Sequence, residues 1–78
     1  MDNITLEDVK ELARKNFSSY PLNRILQIIG EYGIEPHEKE HFRVHIALLR
    51  GSNYDLDLLK RNVLMAKRDY KEFLFWAE

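Results

Sequence analysis

Apolar residues near the end of the chain recur at Leu56, Leu59, Val63, Ala66, Tyr70, Phe73 and Ala77, stepping by three and four in alternation. That rhythm keeps one stripe of a helix apolar. It predicts a single unbroken helix over 55–77, spanning roughly 34 Å at 1.5 Å per residue. The rest of the chain must then supply surfaces that cover the stripe.

Three shorter helices precede it. Leu6, Val9, Leu12, Ala13 and Phe17 form an apolar stripe that predicts a helix over 6–17. Thr5 and Asp8 stand three apart, as in a capping box with Asp in place of Glu, and Ile4 and Val9 are spaced as a hydrophobic staple. Glu7 and Asp8 in the first turn, and Arg14 and Lys15 in the last, suit the helix dipole. Ser18-Ser19-Tyr20 interrupts the pattern, and Pro21 fits a first helical position. A second helix, 21–32, carries Leu22, Ile25, Leu26, Ile28, Ile29 and Tyr32. Gly30 inside it costs about 1 kcal/mol against Ala. Gly33 is the expected left-handed terminator, with Ile34 folding back on Ile29.

Pro36 opens a third helix, 36–50, that stops at Gly51. Its apolar arc is wide, taking in Phe42, Val44, Ile46, Leu48 and Leu49, which predicts contact with two neighbours. Ser52-Asn53-Tyr54-Asp55 is a capping cluster within which the cap itself stays open. Connections of about three or four residues suit antiparallel helical neighbours. No strand alternation, internal repeat or low-complexity segment is visible.

The expected fold is therefore all-α: four helices, with helices 3 and 4 an antiparallel hairpin and helices 1 and 2 packed across it. Expected core residues are Leu26, Ile29, Phe42, Ile46, Leu49, Leu56, Leu59, Val63, Ala66, Tyr70 and Phe73. The 78 residues suit one domain, and 45% hydrophobic composition is too high for a disordered chain. At this size folding buries only about 60% of the unfolded chain's surface, so stability is modest.

Charge narrows the partners. With 12 basic and 13 acidic residues the chain has no general electrostatic grip on nucleic acid or anionic membrane. The absence of Cys excludes disulfides and thiolate chemistry. The start, Met-Asp-Asn-Ile-Thr-Leu-Glu-Asp, is opposite in charge to a secretory n-region, and no apolar run approaches the ~20 residues of a membrane span. A cytoplasmic protein with no membrane contact is expected.

Candidate chemistry is sparse. His37, His41 and His45 are spaced by four on helix 3. Two imidazoles at i and i+4 can share a metal ion, whereas His37 and His45 lie about 12 Å apart along the axis. The pair that suits a metal is His41 and His45, with an outside ligand. Both also fall inside the apolar arc, which favours partly buried rings bonded to backbone or to Glu38. Lys60, Arg61, Lys67, Arg68 and Lys71 make helix 4 locally basic, but Asp55, Asp57, Asp69, Glu72 and Glu78 balance them. A solvated charged face explains that better than nucleic-acid binding.

Three apolar residues, Leu58, Met65 and Trp76, flank the main stripe and widen the face available for packing. Leu64 and Phe75 fall at nearly one angle on the opposite side, roughly 16 Å apart along the axis. Helix 4 is also longer than helix 3, and its end, Phe73-Leu74-Phe75-Trp76, is the densest aromatic run in the chain. Either helix 1 covers that overhang or another chain does. The residues singled out for partner binding are Leu64, Phe75 and Trp76.

No glycine-rich phosphate loop, nucleophile elbow or paired-carboxylate arrangement marks an enzyme, and no cofactor is expected. Ser18, Ser19 and Ser52 sit at helix ends, where capping explains them. Tyr20, Tyr32, Tyr54 and Tyr70 read as amphipathic packing residues.

Glu31-Tyr32-Gly33, Arg43-Val44, Ala47-Leu48-Leu49, Asp55-Leu56, Leu59, Ala66-Lys67-Arg68-Asp69-Tyr70-Lys71 and Trp76-Ala77-Glu78 resemble a group of short uncharacterised bacterial helical proteins. The resemblance covers about residues 25–78. The chain departs from it at Tyr54, where the group carries a small turn residue, which bears on where helix 4 starts. It implies a bacterial, cytosolic, helical protein and no activity, cofactor or catalytic residue. The favoured expectation is a non-enzymatic interaction module, self-associating or binding another protein, that uses the aromatic end of helix 4. A metal or small-ligand binder through His37, His41 and His45 comes second, and a nucleic-acid-associated regulator third.

Overall fold

The computed structural model describes residues 4–53 and 55–77. Tyr54, expected in the capping cluster, and Glu78, expected in the charge balance, lie outside the described residues. Five α-helices follow one another: α1 (Leu6–Asn16), α2 (Leu22–Ile29), α3 (His41–Arg50), α4 (Leu56–Arg68) and α5 (Tyr70–Ala77). The described residues form no strand, and the all-α expectation holds.

Local chemistry sets the starts of α1 and α4. The Asp8 amide donates to the Thr5 hydroxyl at 3.3 Å, and the Thr5 amide to the Asp8 carboxylate at 2.9 Å, which is the reciprocal box expected from the sequence. In the cluster before α4 the cap is Asp55, whose Oδ1 accepts from the Asp57 and Leu58 amides. Ser52 is buried instead. Its hydroxyl donates to the Leu48 carbonyl at 2.6 Å and accepts from Asn62 of α4, tying the α3–α4 turn together.

Three expectations are corrected. First, α2 ends at Ile29 rather than at 32, and Gly30 caps it instead of weakening its interior. The chain continues in a tight turn, with the Glu31 and Tyr32 amides bonded to the Ile28 and Ile29 carbonyls. Gly33 is left-handed in sign, with φ of 111°, but Ile34 stays exposed and does not fold onto Ile29. Second, α3 begins at His41 rather than at Pro36. Residues 33–40 wrap around a buried carboxylate, described below. Phe42 therefore lies in a first turn with little cover and is 38% exposed, not core.

Third, the long C-terminal rod is broken, so five helices replace four. Asp69 leaves the helix with φ of −157° and ψ of 96°. Its carboxylate accepts from the Lys71 and Glu72 amides at 3.1 and 3.2 Å, a cap that opens a new helix. The redirected α5 buries Phe73 and Leu74, while Tyr70 and Ala77 are only partly covered.

The central element is α3, which touches α1, α4 and α5, while α2 bridges α1 and α4. The core joins Val9, Ala13 and Phe17 of the first segment to Ile25, Ile29 and Tyr32, to Val44, Ala47, Leu48 and Leu49, and to Leu59, Val63, Ala66, Phe73 and Leu74. Of the expected core, Ile29, Leu49, Leu59, Val63, Ala66 and Phe73 are buried, and Leu26, Ile46, Leu56 and Tyr70 pack against it half-buried.

Val63 sits where α4 closes this core. Val63→Asp places an uncompensated charge there, so the variant should lose its cooperative thermal transition. A melt by circular dichroism matching that of the parent chain would show that the seam is not buried.

Candidate functional site

Two regions carry the chain's less ordinary chemistry. One is the loop between α2 and α3, built around Glu38. This carboxylate is 2% exposed in a stretch of otherwise polar, solvated residues. Its Oε1 accepts from three successive backbone amides, Gly33 at 2.7 Å, Ile34 at 2.9 Å and Glu35 at 3.3 Å. Its Oε2 lies 2.8 Å from the Lys67 ammonium of α4. Lys67 also donates to the Glu31 carbonyl at 2.8 Å, so one side chain ties the loop to α4 twice.

Burial raises the Glu38 pKa, but the Lys67 ammonium and the three amides outweigh it and hold the carboxyl down at about 2. Around this ion the loop is fully specified. The Tyr32 hydroxyl donates to the Lys39 carbonyl at 2.7 Å, and burial, reinforced by the Glu38 charge, pushes the phenol up to about 12. Gly33 is required twice. Its φ is one that side chains rarely adopt, and a Cβ there would stand 3.2 Å from the His41 ring.

The three histidines separate on this framework. His37 lies in the loop, not on α3, and its ring nitrogen is 3.9 Å from the Glu38 carboxylate, too far for a hydrogen bond. His41 and His45 do sit one turn apart, each edge-on to the Tyr32 ring with centroids 6.4 Å away. The Nε2 of His45 lies 3.1 Å from the Tyr32 carbonyl, and a carbonyl only accepts, so that nitrogen carries the proton. Burial pulls the His45 pKa down, with the His41 charge acting in the same direction. Among the described residues no three metal-ligating side chains converge.

The second region is α5. Phe75 and Trp76 are 81% and 74% exposed, with their rings edge-to-face at 6.0 Å. Trp76 lines a groove with Met65, Phe73 and Ala77 and with the polar Asn62, Arg68 and Glu72. Leu64 is 66% exposed but borders a different groove, with Ile28, Lys60 and Val63. The shared helical angle of Leu64 and Phe75 assumed an unbroken rod, and the break at Asp69 removes it. Met65, expected to widen the packed face with Trp76, joins Trp76 at the surface instead.

Neither the Glu38–Lys67 pair nor the Met65–Trp76 groove was legible beforehand. Glu38 is one acid in a polar run, and only the glycine five residues earlier hints at a turn needing an anion. The basic face loses Lys67 to that pair. Comparison with protein-family models, with curated proteins and with solved structures gave no match.

The Glu38 value falls below that of an unfolded glutamate, 4.5. Its contribution is therefore complete above pH 4.5 and disappears as pH drops to about 2, amounting to about 3 kcal/mol. Urea melts across that window should show the loss. Glu38→Gln should be less stable than the parent by about this amount at pH 7 and equal to it near pH 2. Parallel curves for the two proteins across the window would remove Glu38 from the acid limb.

Proposed function

We propose that this chain is a small non-enzymatic protein-interaction module whose contact surface is the aromatic end of α5. The observation that carries the reading is the exposed, edge-to-face Phe75–Trp76 pair, with Trp76 lining a groove of mixed apolar and charged residues. Aromatic side chains are enriched at interface centres, where a large rigid face is buried at small entropic cost. Leu64 contributes at the margin, from its neighbouring groove. An α3–α4 hairpin is the scaffold, supported by the short turn in which Asn62 reaches back to Ser52. The reading keeps the bacterial, cytosolic setting that the resemblance implies. No helix of the described residues is long and apolar enough to cross a membrane. Nucleic-acid binding draws less support, because Lys67 is engaged by Glu38 and the remaining charge is balanced.

A photoreactive benzophenone side chain in place of Phe75 tests this in the native cell. Illumination should give a discrete covalent adduct. The same group at Gln27, exposed on α2, should give none. Adding Trp76→Glu should abolish the adduct. An illuminated sample that yields no discrete species from position 75 would overturn the reading.

A further inference from the structure

We propose that the occupant of the α5 surface is a second copy of this chain, docked about a two-fold axis. The inference rests on the interaction reading above and names its partner. A two-fold contact brings the same patch of each copy together, so the patch must complement itself. This one does. Arg68 and Glu72 both line the groove that holds Trp76, one cation and one anion. Among the described residues neither has an ion-pair partner within the chain. Facing copies set Arg68 of each against Glu72 of the other, with Phe75 and Trp76 packed between them.

The area suits a weak, reversible contact. Large aromatic side chains bury about 150–250 Å² each, so covering these two removes on the order of 300 Å² per copy. Counting both copies gives on the order of 600 Å², to which Met65 and the groove walls add, within the range of transient contacts below about 1,200 Å². A formal net charge of −1 leaves two copies with almost no mutual repulsion.

Light scattering on the purified chain should show the mass doubling from 9.4 kDa as concentration rises through the micromolar range. Trp76 is the chain's one tryptophan, so its emission should shift to the blue over the same range. Arg68→Glu and Glu72→Arg should each raise the dissociation constant about tenfold or more, because each sets like charges face to face. An equimolar mixture of these two variants should restore association. In the mixed pair every 68–72 contact again joins opposite charges, a rescue that misfolding could not produce. A chain that stays at 9.4 kDa throughout, or variants that remain apart when mixed, would overturn the second copy as occupant. The cross-link at position 75 separates the two failures. An adduct with a different protein, from a chain that is monomeric in solution, removes the dimer and keeps the module; no adduct removes both.

Discussion

A carboxylate taken out of water constrains this fold more than any apolar contact does. Glu38 sits among backbone groups and a single lysine, and its desolvation is tolerable because both of its oxygens are engaged. A half-satisfied version would cost several kcal/mol, since an unpaired buried charge is far worse than none. The loop therefore has one acceptable shape. Its three amides converge on one oxygen with Gly33 at its unusual φ, and a left-handed Glu40 turns the chain into α3. Where α3 begins follows from that shape, as do the places of Tyr32, His41 and His45.

The same pair fixes α4 from its far side. Lys67 lies in the last turn of α4, and its two bonds reach across to the turn that follows α2 and to the loop. Two residues later Asp69 stops the helix and caps the next. The position of α5 is thus set by a clamp and a cap acting in adjacent turns, with Phe73 and Leu74 anchoring its inner face. A rod continued in register would have turned Tyr70 and Ala77 inward together with Phe73. The break exchanges part of that burial for Leu74 and leaves Phe75 and Trp76 in solvent.

What could be read from the sequence divides along physical lines. Short-range chemistry was legible: the Thr5–Asp8 box, the α1 positions Val9, Ala13 and Phe17, the positive φ at Gly33 and the seam residues Leu59, Val63 and Ala66 all follow from neighbours within a turn or two. The broken rod was not, because three-four periodicity reports which residues want burial, not whether the backbone between them is continuous. Asp69 carries both possibilities, a tolerable helix residue and a good cap, and tertiary packing of α5 decides between them. Glu38 was illegible for a stronger reason. Its partner Lys67 is far along the chain, and each residue alone resembles its solvated neighbours. The histidine spacing misled similarly, since it assumed a helix through His37 that the Glu38 loop replaces.

The exposed aromatics and the size of the domain bear on one another. An eight-residue helix is marginal in isolation, and only Phe73 and Leu74 of α5 are buried by the chain itself. Whatever covers Phe75 and Trp76 also completes the burial of α5, so binding and helix stability are linked by mass action. A small domain that buries only a modest share of its surface gains proportionately from such a contact. If the cover is a second copy, α5 becomes the element whose order rises with concentration. The Glu38–Lys67 clamp lies within one protomer and gains nothing from assembly. It holds α4 in place in either case, so the order gained on assembly is confined to α5.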